Sequence, residues 1–182
     1  MEFTATQIPD VIVIDPLVHE DARGFLMETW QADRFRQAGI EADFVQDVHS
    51  RSARGTVRGL HYQVKQAQGK LIRVIRGEAF DVAVDIRKSS PTFGQWVGET
   101  LSEGNRKLIW VPPGFAHGFM VLSDYADFEY RMTDYHAPEH ARSIRWDDPD
   151  IGIEWPSLGN EAPLMSDADS AGTSLQDAEV YA

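Results

Sequence analysis

His61 lies in a stretch of sequence whose residue types could handle a proton and an anion together. Seven basic residues and no acid occur between positions 51 and 76, and the histidine follows Arg58 and Gly59 within this block. An imidazole can take up or release a proton near neutral pH, and lysine and arginine side chains can hold a small anion such as a pyrophosphate. The block could instead be a solvated face. Composition alone leaves both interpretations open.

A metal centre is the rival interpretation of a histidine on a strand of a small β-protein. Such sites often combine a His-x-His pair with a carboxylate and a later histidine. The residue two positions after His61 is Gln63, and the next acid along the chain is Glu78. Lys65 and Lys70 lie between them, where their positive charge would repel a cation. The pattern therefore indicates a site without a metal.

Two further side chains could share this site. His117 follows the rigid turn at residues 112–114 and begins a predicted strand, where it could either line a cavity or cap the turn. Tyr130 shares a strand face with Phe128 and Met132. An aromatic side chain on such a face usually belongs to the core, but a buried phenol needs a polar partner, which suits a cavity wall.

Short strands separated by glycine and proline turns are predicted along most of the chain. One short helix is predicted at residues 31–38, closing at Gly39. The predicted strands span residues 11–14, 24–30, 43–49, 56–63, 70–75, 79–87, 95–101, 107–111, 117–122, 127–132 and 143–146. We therefore expect an all-β fold, either a sandwich, a barrel or a jelly roll, with short peripheral helices.

The predicted strand at residues 79–87 has two distinct faces. One face carries only apolar side chains and must pack into a core, whereas the other combines alanines with Asp81 and Asp85. The acidic face could line a polar cavity or meet solvent, and the pattern does not choose between them.

The bulk properties of the chain exclude several classes of partner. Its 182 residues predict one domain over residues 1–182, with a loop-like acidic segment from about residue 157. The formal net charge of -12 argues against nucleic acid and anionic membranes as partners. The sequence has no apolar run of the ~18 residues that a membrane span needs and no signal-peptide pattern. With no cysteine, the expected localisation is the cytoplasm.

Eight motifs occur in a specific order within about residues 8–165. They are DARGF (21–25), FVQD (44–47), RGLHYQ (58–63), QGK (68–70), FDVAVDIR (80–87), SPTFGQW (90–96), PGFAHGF (113–119) and IRWDDP (144–149). Together they resemble the dTDP-4-dehydrorhamnose 3,5-epimerase family, whose members are metal-independent relatives of the cupins.

The resemblance implies a fold, an assembly and a reaction. The fold is a jelly-roll, cupin-type double-sheet barrel, and the assembly is a homodimer in which an N-terminal segment reaches the partner's site. The reaction is epimerisation at C3 and C5 of dTDP-4-keto-6-deoxyglucose to dTDP-4-keto-L-rhamnose, a step of dTDP-L-rhamnose biosynthesis. It proceeds by proton abstraction next to the C4 ketone, without a cofactor or a metal.

The matching motifs also imply roles for individual residues. His61 resembles the general base and Tyr130 the opposing general acid. Lys70 resembles the cation that stabilises the enolate oxygen, and Asp169 the carboxylate that orients the base. The implied contacts to the nucleotide sugar are Arg23, Glu28, Gln46, Arg58, His117 and His136.

Two features of these assignments concern neighbouring residues. Asp81 is expected to support His117 in the way that a carboxylate supports the base. Simple strand alternation places Arg58 and His61 on opposite faces, so a bulge or a strong twist is expected near Gly59.

Four positions depart from the usual pattern of the family. Val48, His136, Ala141 and Ala168 occupy positions that usually hold Asn, Tyr, Glu and Lys, respectively. All four are binding positions in the family rather than proton-transfer positions. The reaction class is therefore expected to be retained, while the preference for the nucleobase is left open.

Three alternatives remain beside the 3,5-epimerase. One is an epimerase of the same class that inverts only C3 or only C5 of another nucleotide-linked 4-keto-6-deoxy sugar. The second is a 3,4-ketoisomerase-type cupin, which the motif around Arg58 and His61 disfavours. The third is a non-catalytic sugar-binding cupin, which the joint presence of Lys70, Tyr130 and Asp169 disfavours.

Overall fold

Two antiparallel β-sheets packed face to face form the body of the protein in the computed structural model, which describes residues 1–159 and 161–182. In chain order the strands are β1 (Glu2–Ala5), β2 (Ile12–Asp15), β3 (Val18–Asp21), β4 (Gly24–Met27), β5 (Gln46–Ala53), β6 (Val57–Gln63), β7 (Lys70–Arg76), β8 (Glu78–Asp85), β9 (Trp96–Ser102), β10 (Leu108–Val111), β11 (Phe115–Val121), β12 (Tyr125–Met132) and β13 (Ala141–Ser143). The helices are α1 (Ala32–Gln37) and α2 (Asp167–Ser170), and a 3₁₀ turn spans Pro138–His140.

The strand order confirms the predicted jelly-roll class. One sheet has six strands in the order β1-β2-β10-β7-β12-β5, and the other has five in the order β13-β6-β11-β8-β9. From β5 to β8, successive strands alternate between the two sheets, which is typical of a jelly roll. The strands β3 and β4 pair only with each other and form a separate hairpin.

Apolar side chains fill the space between the sheets and also cover both outer faces. Phe119 and Phe128 stack at 3.9 Å between centroids within the inner core. On the outer face of the six-stranded sheet, Phe35 of α1 packs with Trp110. The outer face of the five-stranded sheet packs against the C-terminal part of the chain, including Leu175. Burial of the inner cluster therefore holds the two sheets together, and the outer clusters hold α1 and the C-terminal segment against them.

The strand β8 has the two faces that its sequence predicts, and both are buried. Its apolar side, which includes Val82 and Val84, packs outward against the C-terminal segment. Its other side faces the interior, where Asp81 and Asp85 are fully buried. The interpretation that this face meets solvent is therefore wrong.

Several element bounds differ from those predicted, and two strands were not predicted. The strand predicted at residues 24–30 ends at Met27, the one predicted at 43–49 spans Gln46–Ala53, and the last lies at Ala141–Ser143 instead of 143–146. The unpredicted strands, Glu2–Ala5 and Val18–Asp21, are short and mostly exposed. Their mixed composition carries no apolar alternation that could reveal them.

The C-terminal segment crosses the outer face of the five-stranded sheet in an extended course. Backbone hydrogen bonds tie Leu164 to Gly55, Thr173 to Ser143 and Tyr181 to Ile86. Between the first two of these ties lies α2, which the sequence did not predict. This course brings the start of α2 to the strand β6. None of the helices in the described part of the chain is long and apolar enough to cross a membrane.

Candidate active site

A cavity of about 440 Å³ opens between the two sheets. Both sheets contribute to its wall, since β5, β7 and β12 belong to the six-stranded sheet and β6 and β11 to the other. Six of the predicted site residues lie on this wall, namely Arg58, His61, Lys70, His117, Tyr130 and His136.

A bulge in β6 places Arg58 and His61 on the same wall. In the pairing with β11, His61 lies opposite His117 and Arg58 lies opposite Phe119, so β6 contains one more residue than its partner over this stretch. Gly59 has a φ of +130°, and a Cβ there would lie 2.5 Å from the Cα of Gly118. Only glycine fits this close approach. The predicted bulge is therefore confirmed, and simple alternation from His61 to Arg58 is wrong.

His61 and Asp169 form a hydrogen-bonded pair at the mouth of the cavity. The Nε2 atom of His61 lies 2.5 Å from Oδ1 of Asp169. The imidazole is about half exposed, at 47%, whereas the carboxylate is buried. Because Nε2 donates to the carboxylate, Nδ1 is the nitrogen that can accept a proton.

Asp169 is held as a carboxylate by three hydrogen bonds. Burial raises its pKa, but the bonds from His61 and Ser166 and the backbone N–H of Gly59 lower the pKa to about 2 overall. The helix α2 makes this arrangement possible, since Ser166 caps its first turn by accepting from the N–H of Asp169. The carboxylate is therefore ionised at neutral pH and fixed in direction.

Two cations lie on the wall without a carboxylate partner among the described residues. Lys70 makes no salt bridge within 4.0 Å, and Arg58 donates from Nε to the hydroxyl of Ser52 at 3.1 Å. Burial lowers the pKa of Lys70 to about 8, against the attraction of Asp81. A partly desolvated ammonium with no protein anion beside it is suited to a negative charge on a ligand.

Asp81 contacts His117, as the sequence analysis expected. Nε2 of His117 lies 2.9 and 3.0 Å from the two carboxylate oxygens, and both side chains are buried. Burial is the main cause that lowers the pKa of His117, Asp81 opposes it, and the charges of Lys70 and His61 lower it further. Burial therefore favours the neutral form of the His117 imidazole, and the contact with Asp81 fixes its orientation.

Tyr130 presents its phenol to the cavity from β12. Its ring lies 5.6 Å from that of Phe128 in a stacked arrangement and 6.4 Å from that of His117. The hydroxyl lies 3.2 Å from the Oγ of Ser50. Burial raises the pKa of Tyr130 well above its usual value, more than the hydrogen bond with Ser50 lowers it. The phenol is therefore protonated at neutral pH.

The side chain of Gln63 is fully engaged with the backbone. Its amide donates to the carbonyls of Gln66 and Tyr135 and accepts from the N–H of Ala137.

Within residues 1–159 and 161–182, no group of three or more histidine or acidic side chains is arranged to ligate a metal ion.

Five of the predicted site residues do not line the cavity. Asp81 and Asp169 contact the wall residues His117 and His61, and the other three are Arg23, Glu28 and Gln46. Arg23 pairs with Asp21 on the exposed β3–β4 hairpin, and Glu28 pairs with Arg34 at 3.1 Å. Gln46, at the start of β5, accepts a hydrogen bond from a backbone N–H. A single copy of the chain brings Gln46 to His136, whose backbone N–H donates to it, but does not bring Arg23 or Glu28 to the cavity wall.

The four departures from the family pattern all lie on the wall of the cavity, namely Val48, His136, Ala141 and Ala168. Two further residues of the site, Ser50 and Ser52, were not predicted from the sequence; they contact Tyr130 and Arg58, respectively. They could have been found from the alternation of β5, because they continue the inward face on which Val48 lies.

The sequence matches the family model described as dTDP-4-dehydrorhamnose 3,5-epimerase over residues 5–177. A relative of that name from Pseudomonas aeruginosa is 55% identical over 182 residues, covering 100% of this chain and 99% of the relative.

Solved structures agree with this match in sequence and in fold. A dTDP-6-deoxy-D-glucose-3,5-epimerase from Legionella pneumophila, in complex with dTDP-4-keto-L-rhamnose, has a TM-score of 0.94 and 50% identity, covering 98% of this chain and 94% of that one. A 3'-monoepimerase from Streptomyces bikiniensis, in complex with dTDP-quinovose, has a TM-score of 0.89 and 33% identity, covering 96% of this chain and 88% of that one. The chain belongs to the dTDP-4-dehydrorhamnose 3,5-epimerase family.

Proposed function

We propose that this protein epimerises C3 and C5 of dTDP-4-keto-6-deoxyglucose, giving dTDP-4-keto-L-rhamnose for dTDP-L-rhamnose biosynthesis. The observation that carries the proposal is that His61, paired with Asp169, lines the same cavity as Lys70 and Tyr130, which lie on the other sheet. The names of the relatives and the ligand of the Legionella structure support the same substrate class.

His61 acts as the general base in this proposal. The protons on C3 and C5 flank the C4 ketone, so removing either leaves an electron pair that delocalises onto the ketone oxygen. Nδ1 of His61 accepts the proton, and Asp169 stabilises the resulting imidazolium through Nε2. A positioned base of this kind contributes about 10²- to 10⁴-fold to the rate.

Lys70 stabilises the enolate that forms when the proton leaves. Its ammonium has no carboxylate partner within 4.0 Å in the described residues, so its charge is available to the developing oxyanion. Arg58 adds a second fixed cation on the same wall. A preorganised positive charge acts on the transition state more than on the neutral ketone, which is why it lowers the barrier.

Tyr130 returns a proton to the same carbon from the opposite face. Because burial keeps the phenol protonated, it can donate to the carbanionic carbon as the ketone re-forms. One proton leaves the substrate and one enters, so the product is an isomer of the substrate. The imidazolium and the phenolate then exchange protons with solvent. These steps use side chains of the protein alone.

We also propose that the active unit is a homodimer in which the β3–β4 hairpin reaches the partner's cavity. The side chain of Arg23 on this hairpin is 90% exposed. Phe25 and Leu26 next to it are 56% and 70% exposed, which is unusual for adjacent large apolar residues. A second copy that covers them would explain both their exposure and the distance of Arg23 from its own cavity.

His61→Ala should reduce hydrogen exchange at C3 and C5 by roughly 10²-fold or more, because the base is lost. Proton NMR of dTDP-4-keto-6-deoxyglucose incubated with the protein in heavy water measures both positions. The fold should be unchanged by circular dichroism, since the imidazole is half exposed. Exchange at the wild-type rate would refute the base assignment, and exchange at a single position in the wild type would identify an epimerase of one centre.

Tyr130→Phe should slow net inversion by about 10²-fold while solvent exchange of label is slowed less, because only the donating hydroxyl is removed. The ring and its stacking on Phe128 are retained. Product analysis and NMR exchange, run on the same samples, give the two rates. Tyr135→Phe, at an exposed hydroxyl, is the control. Equal slowing of both rates would contradict an acid that acts after proton removal.

The value of kcat/KM should fall as the pH rises above about 8, because Lys70 then loses the proton that gives it its charge. In Lys70→Arg the fall should move to higher pH, since a guanidinium stays protonated there. Initial rates between pH 6 and 10, on a protein shown by its fluorescence to remain folded, measure this. An alkaline limb at the same pH in both proteins would exclude Lys70 as its source.

Mixing inactive His61→Ala chains with Arg23→Ala chains should restore activity if the hairpin serves the partner's site. Each mixed dimer then has one complete site, so co-expression of equal amounts gives about a quarter of the wild-type activity. Activity that stays at the level of the two separate variants would mean that Arg23 serves its own chain or no site. Light scattering confirms that both variants remain dimers.

A further inference from the structure

Three glutamine side chains form hydrogen bonds with the backbone of one loop, at one group in each of four consecutive residues. Gln68 donates to the carbonyl of Asp134 at 2.8 Å, and Gln63 donates to that of Tyr135 at 3.2 Å. The N–H of His136 donates to Gln46 at 2.9 Å, and that of Ala137 donates to Gln63 at 2.8 Å. We call Gln46, Gln63 and Gln68 the glutamine cradle.

The cradle connects the loop to both sheets. Gln46 begins β5, at the edge of the six-stranded sheet, and Gln63 ends β6 in the five-stranded sheet. Gln68 precedes Lys70 in the turn that leads into β7. The loop 134–137, which contributes His136 to the cavity wall, is therefore held by side chains from both sheets.

Gln63 is the central member of the cradle. Its side chain is buried, and its residue is only 4% exposed. Besides its two bonds to the loop, its amide donates to the carbonyl of Gln66 at 2.7 Å. The backbone carbonyl of Gln63 accepts a hydrogen bond from the hydroxyl of Tyr181 in the C-terminal segment. An amide with so many partners is costly to replace, because each partner would be left without a hydrogen bond.

The loop presents His136 to the cavity. The residue is exposed, and its ring lies on the cavity wall while its backbone N–H is held by Gln46. Tyr135 beside it points to solvent and is 61% exposed. The cradle therefore fixes the backbone on both sides of one imidazole whose side chain makes no hydrogen bond within the described residues.

We propose that the glutamine cradle is a set of positioning residues that fix His136 for binding the nucleoside diphosphate part of the ligand. This inference rests on the proposed function, because that function supplies the ligand class. Among the described residues, the cradle side chains hydrogen-bond to backbone groups and not to His61, Lys70 or Tyr130. A planar imidazole held at the rim can pack against a nucleobase.

The physical basis is preorganisation of the loop. A free loop would lose conformational entropy each time a ligand bound, at a cost of about 1 kcal/mol or more for each residue ordered. The cradle orders four residues when the protein folds, so binding does not carry that cost. Loosening the cradle should therefore weaken binding while leaving the proton-transfer rate at saturation nearly unchanged.

Gln63→Glu tests this with an almost isosteric change. The carboxylate loses the donor to Tyr135 and Gln66 but can still accept from Ala137. The dissociation constant for dTDP, measured by calorimetry at pH 8, should rise about tenfold, and KM should rise with it. The value of kcat should stay within about threefold. Because a protonated carboxyl regains a donor, the affinity should improve at lower pH in the variant more than in the wild type.

The control is Gln176→Glu, which changes the charge equally at an exposed amide that bonds only to Asp150. It should bind dTDP like the wild type. Gln68→Ala is a milder second variant that removes a single bond to the loop, and it should show the same direction with a smaller rise. It keeps the test valid if Gln63→Glu does not fold.

A double variant separates positioning from simple support of the fold. In the His136→Ala background, Gln63→Glu should cause no further loss of dTDP affinity, because the group being positioned is absent. Unchanged dTDP affinity in folded Gln63→Glu and Gln68→Ala proteins would overturn the proposed role of the cradle. An equal loss of dTDP affinity from Gln63→Glu with and without His136 would also overturn it. So would a wild-type protein that does not bind dTDP. Absent hydrogen exchange in a wild type that binds dTDP would instead overturn only the proposed reaction.

Discussion

A buried carboxylate that accepts a hydrogen bond from a half-exposed imidazole is the interaction on which the rest of the site depends. Asp169 is ionised and fixed by Ser166 and by the backbone of Gly59, so it holds one nitrogen of His61 and leaves the other to meet the ligand. An unpaired carboxylate at this depth would be costly. The hydrogen bonds from His61, Ser166 and the backbone N–H of Gly59 offset that cost. They also tie the backbone around Gly59 to the orientation of His61.

The charges around this pair explain how an acidic protein can bind an anionic ligand. The formal net charge is -12, yet the cavity wall presents Lys70 and Arg58, and neither makes a salt bridge within the described residues. The acid whose charge raises the pKa of Lys70 is Asp81, and its carboxylate contacts His117. Local charge near a low-dielectric wall acts more strongly on a bound ligand than the distant acids, which water and salt screen.

The sequence predicted the residue types of the site and the class of fold better than the contacts between them. The motif around His61 and the absence of acids from 51 to 76 indicated the chemistry, and the period-two pattern of β8 indicated a strand with a buried apolar face. The contact of Asp169 with His61 was implied only by the resemblance to the family, and the role of Gln46 in the loop was not predicted. Both depend on packing between distant segments, which no local pattern encodes. The short strands β1 and β3 had no apolar alternation to reveal them. The bulge at Gly59 was expected only because Arg58 and His61 had to share a wall.

The course of the C-terminal segment has a consequence for synthesis of the protein. The thirteen strands of the described residues end by Ser143, but the carboxylate that pairs with His61 follows more than twenty residues later, on a segment that also covers an outer apolar face. A chain interrupted between these points has all of these strands but lacks the partner of His61. Its uncovered apolar face is the kind of surface that chaperones and proteases recognise. Incomplete translation would therefore leave apolar surface exposed at the same time as it leaves His61 without its carboxylate.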